Sequence, residues 1–241
     1  NSSAALRAEG VQGIAAAMDD AIIGINDAHA PRTYLGASSL GAECERQIQL
    51  DYILANNLPG APRPAGEGFG AKTLRMFAMG HAFEALAVGW LRDAGFDLRT
   101  HGKDGQQFGF STAGGQLSGH CDGVIARGPE GQAYPLLFEH KALGPKSWKE
   151  VAKHGVAKAK PVYHAQLALY QAYMDLQNPA LFMATNRDTA EVYLELVPFD
   201  PALAQATSDK AVRILQATKA GELSPKAFAS AEFFACKWCR W

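Results

Sequence analysis

The sequence predicts an α/β fold with a sheet layered between helices. Three observations carry this. A long helical periodicity over Thr73–Ala94 runs into a Gly-punctuated stretch of β-forming residues; an amphipathic helix, Tyr163–Leu176, comes next; an apolar strand, Leu181–Thr185, follows it directly. The order helix, strands, helix, strand favours one layered unit over separate all-helical and all-strand domains.

Taken in order, residues 11–29 read as a helix of mixed polarity, closed by the Ala30-Pro31 break. Ser38 and Ser39 offer N-caps for a second helix through about Ala55, carrying Cys44, Arg46 and Tyr52. Asn57–Gly70 holds three Pro and four Gly and is the best boundary loop. Thr73–Ala94 is the strongest helix, with an apolar stripe through Leu74, Phe77, Phe83, Leu86 and Leu91 and a closing Gly95. Phe96–Thr100, Gln107–Ser111, Gln116–Ala126 and Tyr134–Lys141 read as strands, separated by turns at 102–105, 114–115 and 128–131. A lysine-rich helical segment leads to Tyr163–Leu176. Strand Glu191–Val197, a last helix over Pro201–Ala217 and an irregular aromatic tail complete the chain. The expected division is 1–70 as an N-terminal helical region, 71–200 as the core, and 201–241 as a C-terminal helix and Cys-x-x-Cys tail packing back on the N-terminal region.

Composition excludes several function classes. With 241 residues, 48% hydrophobic and 20% charged, the chain is a folding sequence rather than a disordered one. A net charge of −1 excludes a polybasic whole-chain binder, though not a local basic groove. No apolar run approaches membrane-spanning length, so no membrane partner is expected. The chain opens Asn1-Ser2-Ser3-Ala4 with neither Met nor a signal-peptide pattern; the expected location is the cytoplasm of a bacterial or phage-infected host cell. Four Cys are too few for a disulfide scaffold of this size.

The chemistry gathers on two strands. Gly119-His120-Cys121-Asp122-Gly123 lies within one predicted strand, and Phe138-Glu139-His140-Lys141 ends another. Strand side chains alternate between faces, so Glu139 and Lys141 share a face, and Asp122 joins them if the two strands are neighbours. Two carboxylates with a lysine suit a hard divalent cation such as Mg²⁺, with the lysine orienting water or neutralising developing charge. A Glu-x-Lys alone reads sooner as an ordinary salt bridge on a half-exposed sheet face. Glu84, in Gly80-His81-Ala82-Phe83-Glu84, adds a carboxylate among apolar residues, where it is costly unless paired. Gln166 and Tyr170, four apart, put an amide and a phenol on one helix face.

In order, Gly80-x-x-x-Glu84, Gly119-x-x-Asp122, Glu139-x-Lys141 and Gln166-x-x-x-Tyr170 resemble the motifs of the PD-(D/E)XK nucleases, specifically the RecB-like branch that includes the CRISPR adaptation and many phage exonucleases. The likeness covers about half of the chain, Thr73 to Thr185. It implies a restriction-endonuclease-like αβββαβ core with a central mixed sheet flanked by helices. It further implies metal ligation (Mg²⁺ or Mn²⁺) by Asp122, Glu139 and the backbone carbonyl of His140. Glu84 would take the first-motif position as a further metal ligand, a role for which His81 competes with poorer spacing. Lys141 would be the catalytic lysine, and Gln166 and Tyr170 the supporting branch motif. Asn186-Arg187-Asp188-Thr189, followed by Glu191-Val192-Tyr193-Leu194-Glu195, also resembles phage members. The activity implied is a metal-dependent deoxyribonuclease of exonuclease type acting on single- or double-stranded DNA ends in phage or prophage DNA processing and recombination, with a homo-oligomer or a recombination protein as a further partner.

Between Lys141 and Lys160 six lysines face one acid, Glu150; this segment carries +5, and the remainder of the −1 chain therefore carries −6. Lys146, Lys149 and Lys153 recur at helical spacing, with Lys158 and Lys160 beyond. The face reads as a solvated helix or, beside the carboxylates, as a contact surface for a nucleic-acid backbone. Trp148 is a stacking residue or a pin to the core. The resemblance also extends to a subset whose members hold a [4Fe–4S] cluster, which makes Cys44, Cys236 and Cys239 candidate ligands. The fourth ligand is not in the sequence, and the alternatives are a shortened chain, a degenerate site holding zinc or nothing, or ordinary thiols. Two rival classes stand beside the nuclease: a non-catalytic DNA-binding or assembly module on the same fold, and a redox or zinc protein built on the cysteines.

Overall fold

A computed structural model describes residues 2–60, 62, 64, 68–230, 232–237 and 239–241. Five positions of the expected boundary loop, and Trp238 of the Cys-x-x-Cys tail, lie outside the described residues. The helices are α1 (Ser2–Asp27), α2 (Ala37–Leu40), α3 (Glu45–Ala55), α4 (Ala71–Asp93), α5 (Pro145–Ala159), α6 (Pro161–Tyr173), α7 (Pro201–Ala220) and α8 (Phe234–Lys237). The strands are β1 (Leu35–Gly36), β2 (Asp97–Arg99), β3 (Gly109–Thr112), β4 (Leu117–His120), β5 (Gly123–Arg127), β6 (Leu136–Leu143), β7 (Ala180–Asn186) and β8 (Val192–Val197). No described helix is long and apolar enough to cross a membrane.

The main sheet is five-stranded, in the order β2-β5-β6-β7-β8. Within this sheet only β6 and β7 run parallel, because α5 and α6 intervene and return the chain to the same end; the β5–β6 and β7–β8 hairpins and the β2–β5 pair are antiparallel. Period-two alternation distributes the core between two faces. Leu136, Phe138, Leu181 and Met183 pack beneath Ala87, Val88 and Leu91 of α4. Leu137, Phe182 and Ala184 point the other way, into a cluster with Leu167 and Leu169 of α6 and Ile214 of α7. Buried on both faces, β7 reads as an unbroken apolar run. The expected mixed sheet flanked by helices is observed.

The structure corrects the reading at several points. The single strand expected over Gln116–Ala126 is two, β4 and β5, in different sheets: β4 lies between β1 and β3 in a small three-stranded sheet. Gly119 and Gly123 flank the crossing, and both need their bareness. A Cβ at Gly119 would stand 2.6 Å from the Tyr170 ring, and one at Gly123 would stand 2.8 Å from the Arg99 carbonyl. The helix expected through Ala55 likewise breaks into α2 and α3. There α2 packs on α6 so closely that a Cβ at Gly41 would lie 2.6 Å from the Val162 Cα. Gly36, not a serine, occupies the α2 cap position. On α4 the buried face is Ala71, Leu74, Ala87, Val88 and Leu91, whereas Phe77 and Leu86 of the expected stripe are exposed.

Beyond α7 the chain returns to α3. The fully buried Gln49 donates from Nε2 to Glu222 O (2.7 Å) and Thr218 Oγ1 (3.2 Å), and its Oε1 accepts from Ser224 N–H (2.7 Å). At the end of the tail, Arg240 Nη2 (2.6 Å) and Trp241 Nε1 (2.9 Å) both donate to Asp51 Oδ1.

Candidate active site

The crossing between the sheets builds the site. Where β4 ends and β5 has not begun, Cys121 turns into the core and Asp122 turns out. The last residue pair between β5 and β6 is Gly123 with Phe138. Two residues further along β6, His140 N–H donates to Asp122 Oδ2 at 2.7 Å. Asp122 therefore does not stand on a strand face beside Glu139, as alternation suggested; its carboxylate occupies the edge of β6 where a strand partner would otherwise be. Since N–H and C=O of a strand residue point to the same side, the His140 carbonyl opens toward this gap as well.

Glu139 and Lys141 do share a face, and Lys141 Nζ donates to Glu139 Oε1 at 2.5 Å. Gln166 Nε2, from α6, donates to the same oxygen at 2.8 Å and reaches the Tyr170 hydroxyl at 3.2 Å. The Tyr170 hydroxyl donates in turn to the His120 carbonyl at 2.7 Å. One face of α6 thereby ties β6 of the large sheet to the end of β4 in the small one. Glu139 is 1% exposed, and its Oε2 has no hydrogen-bond partner among the described residues. An unpartnered buried carboxylate oxygen is expensive unless a cation covers it.

The electrostatics agree. Burial, then the negative charge of Asp122, pushes the Glu139 carboxyl up to about 8. Burial also raises Asp122, against the pull of Lys141 and the His140 N–H. Glu84 is raised by burial and by Asp122, so the three carboxylates feel one another across the cleft. For Lys141, burial disfavours the charge, but Glu139 and Asp122 outweigh it and hold the ammonium form. His140 faces away, its Nε2 3.0 Å from Thr185 Oγ1, and burial with Lys141 lowers it to about 4.

A cleft of about 1100 Å³ opens over Glu84, Asp122, Glu139 and Lys141. His81 also borders it, but its side chain is 83% exposed and stands 3.6 Å from Glu84 Oε2, a partner to that carboxylate rather than its replacement. Among the described residues no three His, Cys, Asp or Glu side chains form a ligand set. Asp122 and Glu139, with the His140 carbonyl, are the oxygen donors that a cation entering the cleft would meet. Those donors, with a bare oxygen among them, fit a hard divalent cation.

The thiols add no such set: Cys44, Cys236 and Cys239 are half-buried and free, and among the described residues they form no three-ligand group. Cys44 is the cap residue of α3, not a residue within a helix. Of the two roles open to Trp148, the contacts match the pin: its indole N–H donates to Ala184 O at 3.0 Å and its ring packs on the core. Lys146, Lys149, Lys153 and Lys158 are exposed on or just beyond α5, and Lys160 is half-buried at the cleft rim. Sequence reasoning missed Arg32 and gave Arg187 no site role. The Arg32 guanidinium lies 5.4 Å from the Tyr34 ring centroid at one wall of the cleft. Arg187 is brought to the other wall because its N–H bonds Leu143 O at 2.9 Å at the end of the parallel pair. Both are loop residues, and only their place in the fold reveals them.

Comparison with solved structures identifies the architecture. The chain is similar to an alkaline exonuclease from Laribacter hongkongensis, with 12% identity over 79% of this chain and 90% of that one, at a TM-score of 0.50. It is similar to the same exonuclease in complex with dAMP at 14% identity, over 79% and 90%, with a TM-score of 0.51. The chain has a PD-(D/E)XK nuclease-like fold. No protein-family model and no curated protein sequence matches it. In this PD-(D/E)XK-like frame, α4, β2, β5, β6, α6 and β7 form the αβββαβ series, and β3 with β4 is an excursion that carries Asp122 to its place.

Proposed function

We propose that the protein is a divalent-metal-dependent DNA nuclease, of exonuclease type, that hydrolyses phosphodiester bonds. The observation that carries this reading is the half-satisfied Glu139 carboxylate: one oxygen held by Lys141 and Gln166, the other bare beside Asp122 in an open cleft. A salt bridge built for stability would leave no such oxygen. Asp122, Glu139 and the His140 carbonyl would hold Mg²⁺ or Mn²⁺, with Glu84 facing it across the cleft. Such a cation, when bound, supplies Lewis-acid polarisation of the phosphoryl oxygen and a more acidic water. Lys141 orients the attacking water and offsets charge developing on the phosphate. Gln166 fixes the Glu139 rotamer, and Tyr170 fixes Gln166. Water adds to phosphorus, the P–O ester bond breaks, and the water proton is lost as the departing oxygen gains one.

Attack from chain ends is supported by the likeness to an alkaline exonuclease that aligns over 90% of its length, and DNA as substrate by that protein's complex with dAMP. A role in phage DNA processing extends the same reading through the motif resemblance. The test is digestion of end-labelled linear and closed circular DNA with Mg²⁺ and with Mn²⁺. Trimming of linear DNA alone is expected, with a loss of about 100-fold or more in Asp122→Asn and in Lys141→Ala. Undiminished cleavage by both folded variants would refute the site, and cleavage of the circle would refute the exonuclease mode.

A further inference from the structure

Outside the carboxylate site, α5 carries an unusual backbone. Gly155 has φ 76° and ψ 163°, a region open essentially to glycine alone, and it breaks the helix one turn before its end. The break is held from the neighbouring strand. Glu195 of β8 accepts the Val156 N–H through Oε2 at 2.8 Å, and the same oxygen takes the Tyr193 hydroxyl at 2.9 Å. Val151 on one limb and Val156 on the other are fully buried, so both limbs are fixed. The second limb returns toward the first, and Lys160 Nζ donates to Ser147 Oγ at 3.1 Å.

Between the limbs lies a recess of about 560 Å³ bordered by Lys146, Ser147, Glu150, His154, Lys158 and Lys160. Three lysines thus face a single carboxylate. That carboxylate, Glu150, stands 3.8 Å from His154 Nε2. Lys146 and Lys158 have no acidic partner among the described residues. Ser147 and Lys160 belong to this recess and to the catalytic cleft, so the two spaces share a rim.

We propose that this recess is a second binding site for the DNA backbone, holding a phosphate of the strand whose scissile phosphate lies at Asp122 and Glu139, with Lys160 and Ser147 as the passage between them. Lys146 and Lys158 are exposed and Lys160 is held by Ser147, so what marks the recess is its charge: three cations border it with one carboxylate, an arrangement that favours an entering anion. The inference rests on the nuclease reading for the identity of the ligand, and it adds where the strand runs and which lysines follow it. Of the basic face anticipated from helical spacing, Lys149 and Lys153 border neither space.

Binding of fluorescently labelled single-stranded and duplex oligonucleotides, read by anisotropy in EDTA between about 50 and 200 mM salt, tests it. The double variant Lys146→Gln, Lys158→Gln is expected to flatten the log–log salt dependence by about 1.5 and to weaken binding about tenfold. A control pair that borders neither space, Lys219→Gln with Lys226→Gln, should leave slope and affinity as in the parent. An unchanged slope in the first pair, or equal flattening in the control, overturns the proposal. Because binding is read without metal, the two readings fail separately. A flattened slope in the double variant, with a parent that cleaves nothing, keeps the recess and sinks the nuclease; a cleaving parent whose double variant keeps the parent slope sinks the recess alone.

Discussion

Replacing Glu139 by Gln isolates the physical tension at the site. The side chain keeps its volume and an oxygen for Lys141, but loses the charge that burial and Asp122 oppose. Folded Glu139 titrates near 8, against an ordinary value of 4.5, so between those values the native state holds a proton that the unfolded chain has lost. Stability must then fall as pH rises, by about 1.4 kcal/mol per pH unit. His140 works in the opposite sense below its ordinary value of 6.5, because its folded value near 4 makes the unfolded state the better proton acceptor there. Lys141, raised above 10.5, changes nothing until far higher pH. The clean window is therefore pH 6.5 to 8. Across it the metal-free protein should lose about 2 kcal/mol, or about 4–8 °C in Tm for a chain of this size. Glu139→Gln should retain only the slope that Asp122 and Glu84 contribute. Mn²⁺ competes with the proton and should restore the parent most at pH 8, and the variant little. Thermal melts at several pH values, with EDTA or Mn²⁺, read all of this. Equal pH slopes in parent and variant would refute the reasoning.

Three further outcomes follow from geometry. Tyr170→Phe leaves the His120 carbonyl without its donor and Gln166 less constrained, so it should cost about 1–3 kcal/mol in denaturant melts and lower kcat more than it changes KM; unchanged kcat would show that α6 does not position Glu139. Gly155→Ala forces a Cβ into a glycine-only conformation 3.2 Å from Glu195 Oε1, and a loss of about 1–3 kcal/mol is expected from urea unfolding. Gln49→Ala strips three hydrogen bonds from the segment after α7 and should expose Glu222–Ser224 to limited proteolysis while destabilising the fold by about 2–3 kcal/mol; parent-like resistance would show that other contacts hold the segment.

Much of this molecule is legible in its residues, for identifiable reasons. Glu139 with Lys141 could be read because strand alternation is a local rule, and Gln166 with Tyr170 because helix periodicity is one too. Asp122 was found by its motif but misplaced by periodicity. Gln116–Ala126 is β-forming throughout, and nothing local says that the chain changes sheets at Cys121. The available signal was the pair Gly119 and Gly123 inside a predicted strand, two glycines that report close approach to Tyr170 and Arg99. The α4 stripe erred for a related reason. Phe77 lines the cleft rather than the core, and apolar spacing cannot tell an interior from the wall of a groove. Arg32 and Arg187 lie in loops, where no periodicity exists to mark them.

The bond from His140 N–H to Asp122 has a consequence for how the site can be watched. Most amides in a central strand are shielded by a neighbouring backbone and exchange only when the sheet opens. This one is shielded by a side chain that stands where the chain leaves one sheet for the other. Its exchange rate therefore registers the integrity of that seam independently of the strands around it. If the Asp122 carboxylate turns from this amide toward a cation, the amide is released while its neighbours stay protected. A single backbone proton then becomes a native reporter of the loaded site, with no label introduced.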